Sequence, residues 1–201
     1  MFNRFAPSLC FMLSAACSAS DISSDIAWQA YVQLSKLMQT GSCEDASFRY
    51  ICKDDLVEAL DIAREYHKSK PIQMLKADFA CTVLEDVDFS YIDLTGSSFI
   101  LSKLVNVRFD HSCLNYSTMS SSEFHNVNFS CADLTAVSMN NSILDGVNFS
   151  GAILCRTELR FPKLVGSLLF DHAVIKSAKL QAYNFAITNY IKSSKGVILK
   201  D

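Results

Sequence analysis

The stretch FHNVNFSCADL, residues 124–134, is answered twenty residues later by LDGVNFSGAIL at 144–154. At the same interval upstream stand LVNVRFDHSCL at 104–114 and LEDVDFSYIDL at 84–94. A chain that says one phrase at a spacing of 20 is building one structural unit repeatedly. Counting outward in fives from Phe129 resolves the unit. Twenty consecutive positions from Met74 to Leu169 all carry a large apolar side chain. Two residues before most of them sits a small or β-branched residue, such as Ser97, Val107 or Ala132.

A period of five fits neither the 3.6 of a helix nor the 2 of a flat strand. It fits short extended pieces broken by a bend every five residues. If the apolar centre is called i, strand alternation points i−2 the same way and leaves i−1, i+1 and i+2 outward. Four such sides closing one coil place residues 20 apart in a single column. Phe89, Phe109, Phe129 and Phe149 form one column, and Leu94, Leu114, Leu134 and Leu154 the next. The spacing therefore predicts an all-β solenoid, a four-sided parallel β-helix with a stacked apolar core and coils about 4.8 Å apart.

The units ADFAC (77–81), ADLTA (132–136), VNFSG (147–151) and SAKLQ (177–181) resemble the pentapeptide repeat family, whose consensus is A-(D/N)-L-x-x. The resemblance covers residues 72–190 and implies a right-handed quadrilateral β-helix. Past Leu169 the register slips by one near Phe170, and the units resume with centres at Ile175, Leu180, Phe185 and Tyr190. Pro162, at an i−2 site, also departs from the pattern.

Solenoid ends need covers. Residues 21–71 contain two segments with helical apolar spacing, DISSDIAWQAYVQLSKLMQ and KDDLVEALDIAREYHK, which predict an α-helical cap on the N-terminal end with Trp28 as a contact. Residues 191–201 would form a C-terminal cap or tail. Residues 1–20 read as a secretory signal peptide: Arg4, then the uncharged run FAPSLCFMLSAAC, then small residues before Asp21. Lipid modification at Cys17 and a buried or disordered N-terminal segment are the other readings. The apolar run is too short to span a bilayer as a helix.

The net charge of −3 does not indicate direct nucleic-acid binding. No phosphate loop, dinucleotide fingerprint or nucleophile elbow is present, so no catalytic residue, cofactor or metal ligand is expected. His111 and His125 fall on different sides of the coil, and His67 and His172 stand alone. Cys43 and Cys52, in the short connection between the two helical segments, are the candidate disulfide. Cys113, Cys131 and Cys155 do not stack on one another. Outward Val83, Val105, Ile143 and Val165 share one side and form a candidate docking strip, or lie beneath the cap helices. The expected function is a non-catalytic scaffold for an unidentified protein partner, exported from a bacterial cytoplasm to the periplasm or beyond, and in a host-associated bacterium an effector. The family resemblance implies an alternative: a cytoplasmic DNA mimic that binds the topoisomerase gyrase. That role calls for a strongly acidic rod, usually dimeric; for this chain the sequence leaves the oligomeric state open, with a dimer through a solenoid end as one arrangement.

Overall fold

The computed structural model of the chain describes residues 24–49, 51–68, 70–181 and 186–200. The leader segment and Phe185 lie outside those residues, as does the side chain of Trp28. From Ile72 the chain winds into a right-handed four-sided parallel β-helix of about five turns. Side 1 stacks Met74, Leu94, Leu114, Leu134 and Leu154, and side 2 stacks Phe79, Phe99, Met119, Met139 and Leu159, all of them fully buried. Side 3 is the most regular. Its strands β3 (Val83–Glu85), β4 (Lys103–Val105), β5 (Glu123–His125), β6 (Ile143–Asp145) and β7 (Lys163–Leu164) form one parallel sheet. On side 4, Phe89, Phe109, Phe129 and Phe149 stack with ring centroids 5.1–5.5 Å apart and planes within 10°.

Each sequence position has its own physical task. The bend is made at i+2, which takes a left-handed backbone: φ is 60° at Cys81, 57° at Leu101 and 57° at Cys131. Many bends are closed by a turn hydrogen bond, as from the Thr82 N–H to the Phe79 carbonyl (3.3 Å) and from Ser97 N–H to Leu94 (3.0 Å). Asp or Asn at i−1 accepts the N–H at i+1: Asp88 from Ser90, Asp133 from Thr135 and Asn148 from Ser150. That is the physical content of the D/N in the repeat. Serines buried at i−2 are satisfied too, since Ser112 donates to the Phe109 carbonyl and Ser117 to that of Leu94 one coil below. Pro162 is tolerated because the i−2 N–H serves the bend rather than the ladder between coils, as Thr82 and Ser102 show.

Two helices, α1 (Ser24–Thr40) and α2 (Lys53–Tyr66), pack at the N-terminal end. α2 buries Leu56, Ala59, Leu60 and Ala63, one face at helical spacing, with Asp54 and Asp55 in its first turn and Arg64 in its last. Between the helices the chain already repeats. β1 (Ser42–Glu44) pairs in parallel with β2 (Gln73–Leu75), setting Cys43 on Met74, while Phe48 stacks on Phe79 at 4.9 Å. The segment assigned to the helical cap thus holds half a coil of solenoid. Gly41 ends α1 at φ 70°, and a Cβ there would lie 2.9 Å from the His67 ring.

The C-terminal end corrects two expectations. Leu164 still pairs with Leu144 at a spacing of 20, but Leu168 pairs with Val147 at 21. The extra residue therefore enters between Leu164 and Leu168, one side earlier than expected. Phe170, not Leu169, occupies the core: it is fully buried on Phe149 at 5.1 Å, whereas Leu169 is exposed. Gly166 sits at the slip, and a Cβ there would stand 2.9 Å from the Gly146 nitrogen. Tyr190 is no strand centre either. It lies in α3 (Ala186–Ser193) and donates its hydroxyl to the Gly166 carbonyl at 3.1 Å. The chain then returns as β9 (Ile198–Lys200), pairing with β8 (Val174–Lys176) to continue side 1.

Candidate functional site

With i and i−2 committed to packing, the outer surface of each coil is built from i−1, i+1 and i+2. The strip of Val83, Val105, Ile143 and Val165 does lie on side 3, but the ladder separates its members. Val83 pairs with Lys103, Val105 with His125, and Ile143 with Glu123 and Lys163. The cap helices do not cover it, as Val83 is 66% and Val165 58% exposed. Lys103 and Glu123 stand between Val83 and Ile143, and His125 and Asp145 between Val105 and Val165.

An apolar cluster does form at the corner between sides 2 and 3. Ile100 (i+1) and Leu101 (i+2) are exposed, and Leu101 tops the exposed Cys81, whose N–H donates to the Ile100 carbonyl at 2.8 Å. Val83 opens the adjoining side. Of the four strip residues, it is the one that continues into this cluster. The sequence did carry a signal for the missed pair: Ile100 and Leu101 are large aliphatics at positions where neighbouring coils place Ser120, Ser121, Asn140 and Asn141.

The other candidates are placed as follows. Cys43 and Cys52 are not bridged, because Cys43 faces inward as a core residue 1% exposed and Cys52 stands exposed at the N-cap of α2. Burial pushes the Cys43 thiol up to about 12, against a smaller opposing pull from Lys36. The thiols of Cys81, Cys113, Cys131 and Cys155 are also free. His125 sits between Asp145 (3.2 Å) and Glu123 (3.6 Å), while His111 stacks on Tyr91 at 4.8 Å. The His67 Nε2 donates to the Met38 carbonyl. Among the described residues no His, Cys, Asp and Glu cluster is arranged to hold a metal ion. No described helix is long and apolar enough to cross a membrane. An open cleft of about 480 Å³ beside the end of α2 is lined by Arg64, His67, Lys68, Lys70, Ser90, Tyr91 and His111, and none of its lining residues is a carboxylate.

A staple of charges joins the cap to the solenoid on side 4. The Arg64 guanidinium donates to the backbone carbonyl of Asp88 and lies 3.4 Å from its carboxylate. Arg108, one coil up, reaches the same carboxylate at 3.4 Å and Asp110 at 3.0 Å. Partial burial works against ionisation of Asp88, but the hydrogen bonds from Ser90 and the two guanidinium groups outweigh it and hold its carboxyl below the usual aspartate range.

Comparison with known proteins agrees with this construction. Pentapeptide repeats match residues 77–115, 102–141 and 132–169, in eight copies. A pentapeptide repeat protein from the thylakoid lumen of Arabidopsis thaliana is 21% identical over 49% of this chain and 65% of its own, with a TM-score of 0.29. The repeat protein Rfr23 of the cyanobacterium Cyanothece 51142 is 15% identical over 84% and 93%, with a TM-score of 0.33. QnrB1, a plasmid-mediated fluoroquinolone resistance protein, is 13% identical over 63% and 83%, with a TM-score of 0.25. The aligned part is thus just under two thirds of the length of the Arabidopsis protein. No curated protein matches the chain. Eight matched repeats, laid on a four-sided coil that uses each position as the repeat requires, make this chain a member of the pentapeptide repeat family.

Proposed function

We propose that the protein is a non-catalytic scaffold that presents the corner between sides 2 and 3 to a protein partner outside the cytoplasm. The observation that carries this reading is the exposed cluster of Val83, Ile100 and Leu101 on a wall whose backbone is locked by coil-to-coil hydrogen bonds. Apolar side chains held in water on a rigid surface favour docking, because association removes their area from water without ordering the scaffold. Export rests on the leader pattern at residues 1–20. The DNA-mimic alternative calls for continuous negative charge. No column of outward positions among the described coils carries carboxylates at two successive levels; Asp88 is followed by Arg108 and Asp93 by Cys113.

Leu101→Asp combined with Val83→Asp tests the docking corner. Both side chains are more than 60% exposed, so the variant keeps the wild-type melting temperature within a few degrees. A partner co-purified from the native host with the wild-type chain is lost with the variant. A variant that still retains that partner places docking elsewhere. The intact mass of the native protein addresses export: a form beginning near Asp21 supports it, and a chain beginning at Met1 rejects it.

A further inference from the structure

The ladder of side 4 stops at its first coil. In the regular coils the carbonyl at i+1 accepts from the i+2 N–H of the coil below, as Asp110 does from Tyr91 and Ser130 from His111. By that spacing the N–H beneath Ser90 would come from residue 71, which is a proline and has none. The Arg64 guanidinium takes its place, donating to the carbonyls of Asp88 (2.6 Å) and Ser90 (3.4 Å). At this edge lies the cleft of about 480 Å³ beside the end of α2. Three of its lining residues, Arg64, Lys68 and Lys70, carry a permanent positive charge, and none is a carboxylate. Arg64 is answered by Asp88 at 3.4 Å, and from the last turn of α2 it already faces the negative end of the helix dipole. Lys68 and Lys70 are exposed and belong to no ion pair among the described residues. Two positive charges therefore line the cleft unanswered. The solenoid side of the cleft is aromatic. Tyr91, 64% exposed, stacks on His111 one coil above, with centroids 4.8 Å apart and planes within 9°.

We propose that this cleft binds a phosphate monoester that carries a planar ring. The dianionic phosphate matches the two unanswered lysines in charge, and a lysine serves a phosphate as a point charge without needing a fixed fork. A phosphodiester brings one negative charge and leaves a lysine unanswered, so the site favours the monoester. The ring lies against the wall of Tyr91 and His111, where stacking needs a flat surface and no particular pattern of donors. Neither half suffices alone. Exposed lysines hold a bare anion weakly and in competition with salt, and an aromatic wall has no preference for charge. The volume points the same way: it falls within the roughly 300–1,000 Å³ of small-molecule sites and is far more than one phosphate group fills. Much of the site is set before the ligand arrives. The Tyr91 N–H is held by the Asp110 carbonyl at 3.1 Å, and Arg64 by its two carbonyls, so ordering falls mainly on the two lysine side chains. The cleft lies at the corner between sides 4 and 1, diagonally across the coil from the partner corner at Leu101, and does not depend on that surface.

Calorimetric titration of the full chain in low salt with adenosine monophosphate, phenyl phosphate, adenosine and inorganic phosphate tests the site. At least one of the two ring phosphates binds about tenfold or more tighter than adenosine or inorganic phosphate, because only a ring phosphate engages both walls. Tighter binding of the nucleotide names a nucleotide as the natural source, and tighter binding of phenyl phosphate names a phosphorylated aromatic side chain. Lys68→Gln combined with Lys70→Gln weakens the ring phosphate by about tenfold or more and leaves adenosine unchanged. Tyr91→Asn keeps a residue that tolerates the left-handed bend and removes the ring, so the ring phosphate falls to the level of inorganic phosphate. All three substitutions are at exposed positions, and native melting curves establish that the variants fold. In the wild type, the amide resonances of Lys70, Tyr91 and His111 shift on titration, which locates the ligand without any variant. Failure of both ring phosphates to bind at millimolar concentration overturns the proposal. So does equal binding of inorganic phosphate, binding that ignores both variants, or resonance shifts confined to other parts of the chain.

Discussion

Eighteen described residues other than glycine sit at positive φ, from 50° to 62°, and most of them occupy the i+2 corner. A left-handed residue costs roughly 1–2 kcal/mol relative to the right-handed region, so the corners store strain that the inward residues must outweigh. They do so by nearly complete burial. Cys43 is the test case at this scale, since the sequence gives little reason to suspect it belongs to the core. It is 1% exposed against Met74, with its thiol held at about 12. In native protein at pH 8, iodoacetamide therefore modifies the exposed Cys52, Cys81 and Cys131 and leaves Cys43 untouched until the chain is unfolded. Peptide mass mapping reads this directly. Native labelling of Cys43 at the rate of Cys52 would mean that residues 42–48 do not form the half coil.

At the scale of the element, one five-residue side contributes a single apolar centre, and its stability comes from the centres above and below. Phe129 lies between Phe109 and Phe149, with a fourth ring, Phe124, edge-on at 5.9 Å. Phe129→Ala opens a cavity that the rigid columns cannot close, at a cost of about 3–5 kcal/mol. Leu101→Ala, on the outer surface, changes stability by no more than about 0.5 kcal/mol. Equilibrium denaturation of both variants reads the contrast; equal effects would remove the distinction between inward and outward positions. The same logic explains what was legible in the sequence. The columns of sides 1 to 4 could be counted because every level repeats one requirement, and Asp or Asn at i−1 could be matched to the consensus. The half coil at 42–48 was hidden because two sides give only Cys43 and Phe48, too few for a period, and the helices interrupt them. The slip at Gly166 was misplaced by one side because Leu168, Leu169 and Phe170 are all apolar. Composition could not say which of the three turns inward; pairing with Val147 decides it. The docking strip failed for another reason. Same-side placement is readable from a period, whereas contiguity depends on what stands between, and Lys103, Glu123 and His125 stand there.

Across the whole molecule, a solenoid is held together by contacts between neighbouring levels, so its ends are its weakest places and a cap must be fastened to the first coil. Asp88 does this on side 4, binding Arg64 of the cap and Arg108 of the next coil with one carboxylate. The dependence on pH follows from the direction of its shift. A carboxyl held below the usual aspartate value of 3.8 in the folded chain contributes stability that is fully present above that value, and this stability is lost as the pH falls through the folded-state value. The group is more than a third exposed, so solvent screening limits the gain to about 1 kcal/mol or less. Asp88→Asn keeps an acceptor for the Ser90 N–H and removes the charge. At pH 7 it lowers the melting temperature by about 1–4 °C. As the pH falls through the folded-state value the two proteins converge, because the wild-type carboxyl then loses its charge as well. Native-state hydrogen exchange locates the loss. α2 and the first coil exchange faster in the variant, while the amides of Phe129 and Phe149 keep wild-type protection. A penalty that persists unchanged at low pH, or loosening spread evenly over all coils, would show that Asp88 acts through the local turn and not by fastening the cap.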